Sequence, residues 1–160
     1  MERVPMTIYG YERLSAELKQ LQRVERPALA VAIDEARSHG DLKENAEYHA
    51  AKERQGIVEG RIQELESKLS RAEVIDPTKL KGGKIMLGAT VKLVDVDTDK
   101  AVTYVLVGAD EADLERGLIS TSSPIGRALL GKTVGDEVTV QAPGGKRVFE
   151  VTSVEYKALS

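Results

Sequence analysis

The sequence contains no cysteine. Disulfides, thiolate nucleophiles and cysteine-based zinc sites are excluded together, and the absence fits a reducing compartment. Histidine is scarce too. His39 and His49 are the only two, too few to make a zinc site unaided. No apolar run approaches the roughly 20 residues of a membrane span, and the opening Met1-Glu2-Arg3-Val4-Pro5-Met6 lacks the apolar core of a signal peptide. A cytoplasmic protein without membrane contact is the expectation. Basic excess is also missing. With a formal net charge of -3 there is no global positive field to displace counterions from duplex DNA, which argues against a protein whose main task is gripping a double helix. Internal repeats and low-complexity tracts are absent, and 160 residues suffice for one or two modest domains.

What is present begins with helical periodicity. Thr7 is placed to cap a first helix, in which Tyr11, Leu14, Leu18 and Leu21 recur at alternating steps of three and four. So narrow a stripe is a coiled-coil seam rather than a broad globular face. Past Glu25 it reads through Ala28, Ala32 and Ala36, with Leu29 and Ile33 close by. Pro27 falls inside this pattern. An interior proline costs about 3 kcal/mol of helix stability, which predicts a kink near residues 23–27 without a domain break. A second helix is expected from about Leu42 to Ala72, with Tyr48, Ala51, Gln55, Val58, Ile62, Leu65, Leu69 and Ala72 as its heptad positions. Two arms joined by a few residues make an antiparallel hairpin. Each arm spans about 45 Å at 1.5 Å per residue.

Val74-Ile75-Asp76-Pro77 ends the second helix, because the residue before a proline is pushed out of the helical region. The periodicity then changes. Val91, Leu93 and Val94 form a first β-type run, and Val102, Tyr104, Leu106 and Val107 a second, with an Asp97-Thr98-Asp99-Lys100 turn between them. Leu118-Ile119-Ser120 leads into a short helix that starts near Pro124 and stops before Gly131. Two more strands follow, around Val138–Val140 and from Val148 to Tyr156. The expected fold class is therefore α+β: a coiled-coil hairpin over residues 1–76, a linker over 77–88 and a small α+β domain over 89–160.

The corner of the hairpin is His39-Gly40-Asp41-Leu42-Lys43-Glu44-Asn45-Ala46-Glu47-Tyr48. Gly40 suits the reversal. Asp41 can cap the second helix, with Glu44 answering at the third helical position; that is the plain structural account of such a pair. The other account is chemical, because these carboxylates sit at the exposed end of a slender rod shaped for insertion into a partner. The Asp41–Tyr48 run resembles, almost residue for residue, the tip of the Gre family of bacterial transcript cleavage factors. A second stretch, Ser123-Pro124-Ile125-Gly126-Arg127-Ala128-Leu129-Leu130-Gly131-Lys132 with Val134-Gly135-Asp136-Glu137-Val138, is similar to that family's C-terminal motif, and the likeness extends over essentially the whole chain.

The resemblance implies an FKBP-like second domain that docks on RNA polymerase at the mouth of its secondary channel. It also implies a coiled coil that passes down the channel. Carried over, Asp41 and Glu44 are the catalytic carboxylates and shared metal ligands. Arg37 and Lys52 contact the 3′ end of the nascent RNA, and Ser123, Pro124 and Ile125 contact the partner. A monomer is expected. The modest basic content of the hairpin resembles the family's A type more than its B type. Missing cysteine excludes the zinc-binding cousin, and nothing at the tip suggests an inhibitory relative.

Phosphodiester hydrolysis by two metals needs hard cations about 4 Å apart. Mg2+ wants near-octahedral oxygen ligation and keeps several waters, so two exposed carboxylates make half a site. The expectation is that polymerase holds the first Mg2+ and this chain helps to hold the second. Polymerase is then the enzyme that hydrolyses backtracked RNA, and the chain its activator. Each residue has a plainer alternative. Glu47 can share a face with Glu44 or be a solvated charge. Arg37 and Lys52 can simply screen an acidic tip, and Ser123, Pro124 and Ile125 can cap and pack a short helix. Three other functions compete: a channel-binding regulator without cleavage stimulation, a free-standing metal nuclease, and a prolyl isomerase. The last is disfavoured because only Tyr104, Phe149 and Tyr156 are available to line a proline pocket.

Overall fold

A computed structural model describes residues 2–40 and 45–159. Their contacts separate two units. One is Glu12–Arg71; in the other, the residues up to Tyr11 join those from Ala72 onward. The class is α+β, a helical hairpin and a curled β-sheet domain.

The hairpin's first arm is α1 (Ile8–Gln20), a five-residue π-helical turn (Leu21–Glu25) and α2 (Arg26–Arg37). The second arm, α3 (Ala46–Ser70), packs beside α2. The π turn is the form that the disturbance around Pro27 takes. Pro27 has no N–H, and its ring would press on the carbonyl four residues back. The helix widens instead, and the Arg26 N–H reaches back five residues to the Leu21 carbonyl. One extra residue thereby enters the seam. After Leu21 the covered stripe continues through Leu29, Ile33 and Ala36, whereas Ala28 and Ala32 are exposed. The stripe expected on this arm is thus corrected by one position at Ala28 and Ala32, while Ala36 is buried as expected. On the second arm all eight heptad residues, from Tyr48 to Ala72, are buried or half-buried, although the helix closes at Ser70 and Ala72 already lies in a strand.

Ion pairs tie the arms together. The Arg61 guanidinium donates to both oxygens of Glu17 at 2.6 and 2.8 Å. Arg26 does the same to Glu59 at 2.8 Å each, and Arg54 donates to Glu25 at 2.7 Å. Within α3, Lys68 donates to Glu64 at 2.9 Å. Hydrogen bonds from Arg61, Arg26 and Lys68 hold Glu17, Glu59 and Glu64 respectively below the ordinary glutamate value of about 4.5. Carboxyl groups that are more acidic folded than unfolded stabilise fully above the unfolded value, and that contribution is lost as pH falls through the folded values. The hairpin's helical melting transition should therefore drop on acidification below about pH 4.5, and salt should lower it at neutral pH but not in acid. A transition followed by circular dichroism that holds constant between neutral pH and about pH 3 would contradict this account.

The second unit contains two sheets. β1 (Val4–Thr7) and β2 (Ala72–Ile75) pair in parallel, Val4 opposite Ala72 and Thr7 opposite Ile75. The larger sheet is built from β3 (Thr90–Asp95), β4 (Ala101–Val107), β5 (Leu118–Ser120), β6 (Glu137–Ala142) and β7 (Gly145–Glu155), in the order β5-β4-β3-β7-β6. All neighbours are antiparallel except β4 and β5. The short helix α4 (Pro124–Leu129) packs on β5 and β6. Val91, Leu93, Leu106, Ile119, Leu129, Val138 and Val151 form the core, together with Ile85 and Ala89. Ile85 falls within the expected 77–88 linker. That stretch is instead built into the domain. Pro77 and Leu87 are buried with Ile85, whose N–H donates to the Lys132 carbonyl and whose carbonyl accepts from the Gly131 N–H. The boundaries drawn from sequence at 76 and 88 therefore differ from the packing, which takes in β1, β2 and the supposed linker.

Candidate functional site

The hairpin corner is described on both sides of Asp41–Glu44. α2 closes with Ser38, whose N–H donates to the Glu35 carbonyl at 3.1 Å, followed by His39, whose N–H donates to the Ala36 carbonyl at 3.1 Å. Gly40 has φ +119, a left-handed conformation that favours glycine, as a chain reversal requires. Asp41 and Glu44, the expected catalytic and metal-binding carboxylates, lie outside the described residues, and so does the expected helix start at Leu42.

The chain is described again from Asn45, which no sequence argument had singled out. Asn45 is the N-cap of α3. Its side-chain oxygen accepts the Tyr48 N–H at 3.0 Å, while its amide nitrogen donates across the corner to the Ala36 carbonyl at 2.5 Å. One side chain therefore starts the second arm and holds the end of the first. The available signal was the strong N-cap preference of asparagine, overshadowed by the Asp-x-x-Glu pair just before it. For the described helix, then, the capping duty falls to Asn45.

The flanking residues are placed as follows. Arg37 is the last residue of α2 and Lys52 lies in the second turn of α3; both are exposed, and Lys52 donates to Gln55 at 3.1 Å. Glu47, in the first turn of α3, suits the positive end of the helix dipole. Its carboxylate lies 3.4 Å from His39 Nδ1 at the surface. The Tyr48 and His49 rings meet edge to face, 5.6 Å between centroids. No group of three His, Cys, Asp or Glu able to hold a metal occurs among the described residues, and none of the described helices is long and apolar enough to cross a membrane.

In the sheet domain, Ser123 caps α4. Its hydroxyl accepts the Gly126 N–H at 3.1 Å and donates to the Ser120 carbonyl at 2.7 Å. Pro124 is exposed at the first helical position, and half-buried Ile125 packs against the core. Pro124 is thus the most outward-facing of the three. Tyr104, Phe149 and Tyr156 also rest against the core. The Tyr156 hydroxyl accepts the Met86 N–H at 3.1 Å and donates to the Lys84 carbonyl, and burial pushes its pKa up.

Comparison with known proteins matches two family models. "Transcription elongation factor, N-terminal" covers residues 4–74, and "Transcription elongation factor, GreA/GreB, C-term" covers residues 80–156. The protein named transcription elongation factor GreA from Hyphomonas neptunium is 60% identical over 157 residues, 98% of this chain and 100% of that one. A protein of the same name from Alkalilimnicola ehrlichii is also 60% identical over 157 residues, 98% of this chain and 99% of its own. Among solved structures, GreA factor homolog 1 of Thermus thermophilus is 32% identical with a TM-score of 0.44, covering 96% of this chain and 99% of that one.

Proposed function

Because the chain belongs to the GreA/GreB family of transcription elongation factors, we propose that it is an activator of RNA polymerase's own transcript cleavage and not an enzyme by itself. The observation that carries this reading is the cap of α3. Asn45 satisfies the start of the second arm, so the acidic residues before it are not needed for that purpose. In this reading the Asp41 and Glu44 carboxylates, between the two arms of the hairpin, serve an external partner instead.

Asp41 and Glu44 offer hard oxygen donors that suit Mg2+ but fall short of a closed octahedral set. They would hold the ion jointly with polymerase. Bound there, Mg2+ supplies charge stabilisation to the attacking and leaving oxygens of the phosphodiester. The rest of the chain positions. The seamed hairpin enters the secondary channel and carries the carboxylates to the polymerase active centre. Arg37 and Lys52, exposed on either side of the corner, meet phosphates at the 3′ end of backtracked RNA. The sheet domain docks at the channel mouth through the Ser123-Pro124-Ile125 segment, with Pro124 foremost. The protein acts in the cytoplasm as a monomer.

Stalled, backtracked polymerase complexes with labelled RNA test the reading. Short 3′ fragments should be released rapidly only when polymerase, Mg2+ and the chain are all present. Cutting of free RNA without polymerase would make the chain a nuclease, and binding without fragments would make it a channel regulator. Either outcome overturns the proposal.

A further inference from the structure

Glu111 lies in a single 3-10 turn (Ala109–Glu111) between β4 and β5 and is only 5% exposed. Its carboxylate is fully engaged. Oε2 accepts the Thr7 N–H at 3.0 Å and the Gly108 N–H at 2.9 Å, while Oε1 accepts the Thr7 hydroxyl. The Thr7 hydroxyl oxygen in turn accepts the N–H of Gly10 at 3.2 Å, which makes Thr7 the N-cap of α1 and Gly10 its third residue. In an ordinary capping box, the third residue is a Glu or Gln whose side chain reaches back to the N-cap amide. Here the third residue has no side chain, and a carboxylate 104 positions away does the reaching. The fit is reciprocal. A Cβ on Gly10 would lie 2.3 to 2.5 Å from Cδ, Cγ and Oε1 of Glu111, so the glycine leaves empty the space that the remote glutamate fills. On the other side, a Cβ on Gly108 would lie 2.4 Å from the Pro5 carbonyl oxygen, so β1 is pressed directly on the turn.

We propose that Glu111 is a positioning residue for transcript cleavage. It completes the capping box of α1 from the far end of the sequence and thereby fixes the root from which the hairpin's first arm grows. The proposal rests on the activator reading above. The physical reason is leverage. On a helical arm of about 45 Å, a swing of about 5° at the root moves the far end by about 4 Å, while metal coordination tolerates only a few tenths of an ångström.

The test uses the full chain. Helix propensity alone makes Gly10→Ala stabilising. The remote cap makes it destabilising, lowering the melting temperature by about 5 °C or more, and in a Glu111→Ala background the same change should turn neutral or stabilising. In the stalled-complex assay, Glu111→Ala should keep the half-saturating concentration within about twofold and lose about tenfold in the plateau cleavage rate. Glu111→Gln should restore that plateau, since its carbonyl retains both backbone bonds and its amide can donate to the Thr7 hydroxyl. Should Glu111→Ala be unfolded at the assay temperature, Gly10→Ala carries the same plateau measurement, because it displaces the carboxylate without removing it. A raised melting temperature for Gly10→Ala overturns the remote cap. A folded Glu111→Ala chain with wild-type plateau, or one changed only in half-saturation, overturns the positioning role alone. A wild-type chain that leaves stalled complexes uncut overturns the proposed function and this role with it.

Discussion

A chain carrying Asp41→Asn is expected to bind stalled polymerase as tightly as the unaltered protein and to stimulate cleavage about 100-fold less. Asparagine caps a helix as well as aspartate does, and the cap of α3 is Asn45 in any case. Thermal stability should therefore stay within about 1 °C. The change removes one thing only, a negative oxygen donor at the end of the rod. Glu44→Gln should behave in the same way, since glutamine keeps the length and polarity of the side chain and loses the charge. The two losses should not multiply if both carboxylates hold one ion: a double variant as inactive as either single one marks a shared site. The measurements are the plateau rate of fragment release and the half-saturating concentration, taken separately. Asp41→Asn with near-normal release would return the residue to a structural part and withdraw the metal role.

Legibility from sequence followed the physics of each element. The seam of the second arm could be read because an uninterrupted α-helix keeps its 3.5-residue period: the seven heptad positions from Tyr48 to Leu69 are buried or half-buried, whereas the eighth, Ala72, lies beyond the helix end at Ser70, in β2. The first arm could not. Counting assumes uniform turns, and the π turn at Leu21–Glu25 adds a residue that moves the seam from Ala28 and Ala32 to Leu29 and Ile33. Pro27 gave the location of the disturbance but not its kind. The larger sheet was visible through its period-two runs. The β1–β2 pair was not, because four residues per strand carry too little pattern and the partners are separated by the whole hairpin. The remote cap was hidden for the same reason. Glu111 stands in Ala109-Asp110-Glu111-Ala112-Asp113, which reads as a solvated acidic loop until Thr7 and Gly10 are brought against it. Candidate site chemistry at the corner was legible as residue type and spacing, whereas the tie that closes the corner, Asn45 to the Ala36 carbonyl, is a tertiary contact.

Shortening the rod by one heptad per arm is expected to abolish cleavage stimulation while leaving polymerase binding intact. If the sheet domain docks at a fixed place and the carboxylates must meet a metal deep inside the partner, the length of the hairpin is part of the mechanism. The structure indicates which residues to remove. Deleting Leu14–Gln20 together with Ile62–Lys68 lets Leu21 take the place of Leu14 and Leu69 that of Ile62, so the seam stays in phase. It leaves untouched the π turn, the Arg26–Glu59 and Arg54–Glu25 pairs, the Asn45 tie and the Thr7–Glu111 contact. The Glu17–Arg61, Arg61–Glu64 and Glu64–Lys68 pairs and the Gln22–Glu66 hydrogen bond are lost, and as half-exposed surface contacts they contribute little. Each arm shortens by about 10 Å, seven residues at 1.5 Å. Stretching cannot recover that distance, because helix rise is fixed by its hydrogen bonds. The shortened chain should fold, as judged by helical circular dichroism, and should compete with the full-length protein for polymerase at comparable concentration. Its plateau cleavage rate should fall to that of polymerase alone. Full stimulation by a folded, shortened hairpin would mean that the corner does not act by reaching a fixed site, and the insertion mechanism would have to be abandoned even if the carboxylates proved essential.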